Sequence, residues 1–314
     1  MTDAPQPDLT IIVVSYNTCA MTLACLASVQ AETRVTTFEL IVLDNASTDG
    51  SADAIAAQFP DVRLIRSAEN LGFARANNVA AEQARGRCLL LLNPDTVVLR
   101  GAIDTLAAFA AARPEAQIWG GRTLFADGSL NPTSCWRAPS LWSVFCVTAG
   151  LNYLFPRSPL FNPDAYGGWK RDSERAVDIV TGCFLMLPTA LWRRLGGFDL
   201  SFVMYGEEFD LCLRAHALGA RPRVTPQAEI IHHGGASEKV RGDKMVRLMR
   251  SKVSLIDKHW RWPWRPLGLR LFRLWPWTRQ IALRLLGRGE GASAWPEVWR
   301  RRAEWIGGYP RVSR

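Results

Sequence analysis

Residues 87 to 96 read RCLLLLNPDT: four leucines, Leu89 to Leu92, run into Asn93-Pro94-Asp95. An apolar run without alternation fits a strand covered on both faces, as in a parallel sheet. Pro94 lacks the N–H that a ladder needs, so the strand must stop there. Asp95 then stands just beyond the strand's carboxyl end, either as a cap for a helix predicted from residue 101 or as a ligand-binding group.

The flanking sequence repeats the pattern. LTIIVVS (9–15), FELIVLD (38–44) and VRLIR (62–66) read as strands, and 20–31, 51–58, 72–85 and 101–112 as helices between them. Such alternation implies an α/β fold, a mostly parallel sheet with flanking helices. Ligands of these sheets bind outside the carboxyl ends of the strands. Three polar clusters fall there: Ser15-Tyr16-Asn17, Asp44-Asn45-Ala46-Ser47 and Asn93-Pro94-Asp95. A less regular segment, 116–235, holds an expected hairpin at Asp127-Gly128, a strand at 177–187, a helix at 207–219 and a strand ending at His232-His233. Its uncharged stretch LWSVFCVTAGLNYLF (141–155) is too short to span a bilayer and reads as a buried helix or an interfacial loop.

Charge divides the chain again. From Arg241 onward there are 18 Lys/Arg against 5 Asp/Glu, whereas residues 1–240 hold 20 against 24. The basic tail also carries 8 of the 13 tryptophans. In 244–260, Met245, Leu248, Met249, Val253 and Ile256 share a helical face opposite basic residues, and 261–280 interleaves Trp with Arg. This predicts contact with an anionic membrane surface through 244–286, against the alternative of a helical cap packed on the rest of the chain. The net acidic remainder argues against nucleic acid. Seven cysteines without paired spacing argue against a disulfide framework, and MTDAPQPDLT lacks the features of a signal peptide, so a cytoplasmic location is expected.

Other motifs carry a bland and a chemical reading each. In Asp44-Asn45-Ala46-Ser47-Thr48-Asp49-Gly50-Ser51, Ser47 or Asp49 caps the next helix, but a carboxylate at Asp44 still needs a partner such as a base N–H or a ribose hydroxyl. Asn70 and Gly72 open a further helix at the same edge, where Arg75 is either a phosphate contact or a solvated residue. Glu207, Glu208 and Asp210 at a helix start suit the helix dipole, or raise one another's pKa as a general base requires. His232 and His233 end a strand beside glycines and suit a metal or a diphosphate.

In this order TIIVVSYN, VLDNASTDGS, ENLGFARANN, LLLLNPDT, TGCFLMLP to LGGFD, MYGEEFDLCLRA and IIHHGGAS resemble family 2 glycosyltransferases of the GT-A fold, most closely the bacterial rhamnosyltransferase branch. The resemblance implies a GT-A, Rossmann-like catalytic domain over 1–240, with a nucleotide-sugar half at 8–115 and an acceptor half at 116–240, followed by a basic, Trp-rich helical extension at 241–314. Asp44 matches the acid that contacts the base, and Ser15, Tyr16, Asn17, Asn70, Gly72, Arg75 and Asn93 join it at the donor. Asp95 matches the last acid of the DxD metal motif for Mg2+ or Mn2+, with Asn93 in place of the first. Glu208 matches the catalytic base, with Glu207 in play, and His232 or His233 the late metal or diphosphate contact. Gly182 and Asp210 are expected at the acceptor. The implied reaction is inverting transfer of a sugar, with dTDP-rhamnose the favoured donor, to a lipid-linked or glycan acceptor in cell-surface polysaccharide synthesis, by an enzyme peripheral on the inner face of the plasma membrane. The alternative is a catalytically silent nucleotide-sugar or glycan binding module.

Overall fold

The computed structural model describes residues 5–234, 241–285 and 294–310. Gly235, Ala236 and Ser237 of the histidine motif, residue 286 of the expected membrane segment, and 287–293 and 311–314 of the extension lie outside the described residues. The chain forms two compact units. One comprises Met1–Trp136, Lys170–Asp199 and Leu211–Ser237, the other Arg137–Trp169, Leu200–Asp210 and Glu238–Arg314.

In chain order the elements are β1 (Leu9–Ser15), α1 (Cys19–Glu32), β2 (Phe38–Asp44), α2 (Ser51–Gln58), β3 (Arg63–Arg66), α3 (Gly72–Glu82), β4 (Cys88–Leu92), β5 (Thr96–Val98) and α4 (Ala102–Ala112). Then follow β6 (Trp119–Leu124), β7 (Leu130–Asn131), β8 (Cys135–Trp136), α5 (Leu141–Ala149), α6 (Leu151–Leu154), β9 (Arg175–Ala176), β10 (Ile179–Val180), β11 (Phe184–Pro188) and α7 (Thr189–Leu195). The rest are α8 (Glu207–Ala217), β12 (Arg223–His232), α9 (Arg241–His259), α10 (Trp264–Leu285), α11 (Trp295–Arg300) and α12 (Arg302–Trp305).

The first unit is built on one sheet in the order β3-β2-β1-β4-β11-β6-β12-β5, with β7 on β6 and β9 on β12. β1 pairs in parallel with β2 and β4, so Ile11 faces both Leu40 and Leu90. Leu89 to Leu92 are at most 2% exposed, as the unbroken leucine run predicts. Burial of each contributes roughly 1.5–3 kcal/mol, which makes β4 the anchor of the sheet. Thr10 is buried among these apolar residues, and its hydroxyl is satisfied by donating to Glu39 Oε1 at 2.6 Å and accepting from Gly86 N at 2.8 Å. β11 enters antiparallel beside β4, with Phe184 opposite Leu92. Its first residues therefore lie at the edge where β4 ends.

The expected strand at 177–187 is two strands, because the chain turns at Thr181-Gly182-Cys183. There the Thr181 hydroxyl serves the carbonyls of Thr133 and Ser134, both at 2.9 Å, in place of ladder continuity. The hairpin at Asp127-Gly128 forms between β6 and β7, with Gly128 at φ +78°.

The second unit is helical. The uncharged stretch 141–155 forms α5, started by a Ser140–Ser143 capping box, and α6, separated from α5 by Gly150 at φ +85°. Only one face is buried; Trp142, Phe145, Tyr153, Leu154 and Phe155 are exposed. Val246, Met249, Val253 and Ile256 of α9 are buried in a cluster with Val144, Phe272, Val298 and Trp305. The apolar face of α9 expected on a membrane thus packs inside this unit. A core-facing helix and a membrane-surface helix carry the same apolar stripe. The exposed apolar side chains lie further on, at Trp262, Trp264, Leu267, Leu274 and Trp277. Among the described residues no helix is long and apolar enough to cross a membrane.

At Gly121, in β6, a Cβ would press into the Ala228 carbonyl and the Phe184 ring. Gly121→Ala should therefore destabilise the protein by about 2–3 kcal/mol, measured by denaturant unfolding, because neither a strand backbone nor a buried ring can yield cheaply.

Candidate active site

Three loops at the carboxyl edge of the first unit are tied together by their own polar groups. Asn17, at φ +51°, donates its N–H to Ser47 Oγ at 3.0 Å and accepts from Thr48 N at 2.8 Å through Oδ1. Asp49 takes Cys19 N at 2.9 Å and Ser51 N at 3.1 Å, so it joins the start of α1 to the loop before α2. Asn45 is buried and holds the third loop, donating to Asn70 Oδ1 at 3.0 Å and accepting from Leu71 N at 2.8 Å. Gly72 follows at φ +74°. Ser15 is buried against Thr22, hydroxyl to hydroxyl at 2.9 Å, and Tyr16 is exposed. Arg75 is exposed and lies 3.9 Å from Glu69, the arrangement of a solvated helix residue.

Asp44 stands apart in this set. It is buried, its Oδ2 accepts from Ser47 N at 3.1 Å, and its Oδ1 has no partner. An unsatisfied buried carboxylate oxygen is unfavourable by itself and marks where a donor is missing.

The end of β4 and the end of β12 meet. His232 Nε2 lies 3.4 Å from Asp95 Oδ1 and 3.4 Å from Asn93 Nδ2. Asp95 Oδ2 accepts from Gly234 N at 3.0 Å and its carbonyl accepts from His233 N at 3.0 Å. The His233 residue itself is exposed. Asp95 does not cap α4, whose N-cap is Gly101, because β5 intervenes. Burial opposes ionisation of Asp95, but the His232 hydrogen bond and charge outweigh it and hold its carboxyl below the usual range. Burial likewise opposes a charge on His232, yet Cys183 and Asp95 carry its pKa up to about 10. Asn93 Oδ1 and His232 Nδ1 are buried without partners.

These residues fit a divalent ion only as a partial set. Asp95 offers one carboxylate, Asn93 a carbonyl oxygen and His232, on giving up its proton, a nitrogen, and among the described residues no cluster of three or more His, Cys, Asp or Glu could hold a metal alone. That suits Mg2+ or Mn2+ completed by phosphate oxygens, which needs only one or two protein carboxylates. Gly182 is buried in the turn before β11, at the same edge of the sheet.

The second unit holds the acid pair. Tyr205 at φ +66° and Gly206 at φ +91° turn the chain into α8; a Cβ on Gly206 would strike Ser251 Oγ. Glu207 and Glu208 follow, each with Oε2 buried and without a partner. Burial pushes the Glu207 carboxyl well up, and the Glu208 charge adds to it; burial pushes Glu208 up too. Asp210 differs. It has no exposed surface, and its Oδ1 meets Lys258 Nζ at 2.5 Å and His259 Nε2 at 2.8 Å. Its carboxylate therefore ties the first turn of α8 to the end of α9, in contrast to the acceptor contact expected for it.

Sequence reasoning did not single out Asn45, Cys183, Lys258 or His259. Asn45 lay in a cluster already marked as polar; the other three carry no local signal, since their partners are 48 to 49 residues away in the chain.

Residues 10–194 match the sequence profile described as Glycosyl transferase family 2. The chain belongs to this family. Among family 2 relatives, O-antigen biosynthesis protein RfbC of Myxococcus xanthus is 30% identical over 239 residues, 74% of this chain and 18% of that protein. The N-acetylglucosaminyl-diphospho-decaprenol L-rhamnosyltransferase of Mycobacterium tuberculosis is 30% identical over 210 residues, 62% of this chain and 66% of its own length. The chain thus spans under a fifth of the first relative and just under two thirds of the second. The fold is shared with a mannosyltransferase from Pyrobaculum calidifontis in complex with GDP-Man and Mn2+, at a TM-score of 0.57 and 19% identity, over 97% of this chain and 86% of that one. The family 2 assignment and this likeness agree with the GT-A architecture of the sheet.

The glutamate pair yields a test of its own. A carboxyl whose pKa is raised by folding stabilises the folded state below its unfolded pKa, and that contribution is lost as pH rises through the folded value. Thermal unfolding of the native family 2 protein and of the Glu207→Gln/Glu208→Gln variant between about pH 5 and pH 8 should diverge, with the variant gaining relative stability as pH rises. Parallel curves would show that the pair carries no raised pKa.

Proposed function

We propose that this family 2 chain transfers a sugar, rhamnose by preference and dTDP-rhamnose as donor, to a lipid-linked or glycan acceptor in polysaccharide synthesis, with inversion at the anomeric carbon. The observation that carries the reading is the set of buried, unpartnered polar atoms at residues the family motifs mark: Asp44 Oδ1, Asn93 Oδ1, His232 Nδ1 and the Oε2 atoms of Glu207 and Glu208. A native fold leaves such atoms unmet where a ligand or a reaction meets them. The named activity of the mycobacterial relative, on a decaprenol-linked sugar, supports rhamnose and a lipid-linked acceptor.

In this reading residues 8–115 bind the donor and 116–240 the acceptor. Asp44 Oδ1 accepts a hydrogen bond from the nucleotide base. The knitted Asn17, Asn45 and Asn70 loops hold the donor's nucleoside, and Asn93, Asp95 and His232 face its diphosphate. A Mg2+ or Mn2+ ion held by Asp95, Asn93 and His232 would act as a Lewis acid that offsets the charge of the leaving diphosphate. Glu208, or Glu207 beside it, takes the proton of the acceptor hydroxyl while that oxygen bonds to the anomeric carbon. The bond from that carbon to the diphosphate oxygen breaks, and its electron pair leaves with the nucleoside diphosphate. Displacement from the face opposite the leaving group inverts the configuration, as a general base directs water in inverting glycosidases. The raised glutamate pKa suits the task, since a carboxylate that holds a proton more tightly is the stronger base. Contact of the basic, Trp-bearing α10 region with an anionic membrane would bring the enzyme to such an acceptor at the inner face of the plasma membrane.

Glu208→Gln should lower kcat by about 100-fold or more, the usual worth of a general base, while donor binding persists. Loss of binding with unchanged kcat would remove Glu208 from the chemistry. A thermal-shift series of dTDP-, UDP- and GDP-sugars with and without Mg2+ or Mn2+ should show the largest stabilisation with dTDP-rhamnose plus metal. NMR of the anomeric proton in the product should show inversion; retention would rule out direct displacement.

A further inference from the structure

The second unit carries an open groove of about 700 Å3. Trp142 and Phe145 of α5 form one wall, their rings 5.5 Å apart, and Trp260, Trp264, Leu267 and Leu271 the other. Trp142, Phe145, Trp264 and Leu267 are 41 to 56% exposed, so a contiguous apolar surface faces solvent. Two of the polar groups along it are already used. The Ser140 hydroxyl serves the capping box with Ser143, and Trp142 Nε1 donates to the Leu160 carbonyl at 2.7 Å. Such walls suit a ligand that asks for no hydrogen bonds, which is a hydrocarbon chain and not a peptide or a sugar.

Charge sets what that chain is attached to. Residues 258–285, which supply one wall, hold seven Lys and Arg, of which Lys258 is paired with Asp210 and Arg265 with Asp257. Arg261 itself lines the groove. An amphiphile with an anionic head complements both features. A flat bilayer surface would need only the protruding Trp262 and Trp264 side chains; a groove adds nothing to that contact, but a single chain can lie along it.

We infer that the α5–α10 groove binds the isoprenoid chain of a polyprenyl phosphate, with Arg261 meeting the phosphate. The inference rests on the proposed lipid-linked acceptor and assigns that acceptor's hydrocarbon part a place on this chain. It gives the extension a role in selecting the acceptor by its lipid.

Binding, not turnover, tests it, so that failure of the transferase reading and failure of the groove are distinguishable. The full chain is titrated by calorimetry with isopentenyl phosphate and farnesyl phosphate. Farnesyl phosphate should bind at least about tenfold more tightly, because each buried CH2 favours association. Leu267→Glu and Phe145→Glu, both at half-exposed positions on separate helices, should abolish that chain-length dependence without lowering the unfolding temperature. No chain-length preference in the native protein overturns the inference, as does a preference that both variants retain. If the variants instead lose only binding to phosphatidylglycerol vesicles, the groove is a bilayer contact and the assignment to a single chain is wrong.

Discussion

The ladder between β1 and β4 is the constraint on which the first unit depends. Both strands are apolar on both faces apart from Thr10, whose hydroxyl is used by Glu39 and Gly86, and Ile12 against Leu91 and Val13 against Leu92 leave the half toward their carboxyl ends without a polar group. The unused polar groups therefore fall at the carboxyl ends of the strands. Because β2 is in register with β1, Ser15 and Asp44 stop at the same level. An antiparallel neighbour contributes its beginning to that edge, which is how the turn before β11 joins the ends of β1, β2 and β4. β12 runs parallel to β6, so it delivers His232 there as well. The site is a product of strand direction as much as of residue type.

Acids of one helix illustrate how satisfaction separates a structural carboxylate from candidates for chemistry. Asp210 is met by two cationic partners, and a buried carboxylate so paired is a fixed part of the fold. Glu207 and Glu208 stand at most three residues earlier, with oxygen atoms that nothing meets. The difference lies in partners and not in residue type. The same contrast separates Asn45, whose amide is used at both ends, from Asn93, whose Oδ1 is not.

Much of the first unit was legible because its signals are local. β1, β2, β4 and α2 begin and end where their apolar runs and turn residues say. The positions of Asp44 and Asp95 at strand ends follow from the same logic. What the sequence hid is long-range: the turn that splits β10 from β11 depends on carbonyls of residues 133 and 134, and the pairing of Asp210 on the end of α9. Arg75 was undecidable from position alone, since a helix start offers a phosphate site and a solvated surface to the same side chain. α9 was read outward because its stripe specifies only that one face is covered, not by what.

The Asn45 side chain bridges to the third loop as a donor through one atom and an acceptor through the other. Aspartate has the same shape but nothing to give Asn70, and leucine has the volume but neither function. The geometry of the two hydrogen bonds thus asks for an amide at this position, so a side chain that is neither acid nor base sets how the loop cluster is held together.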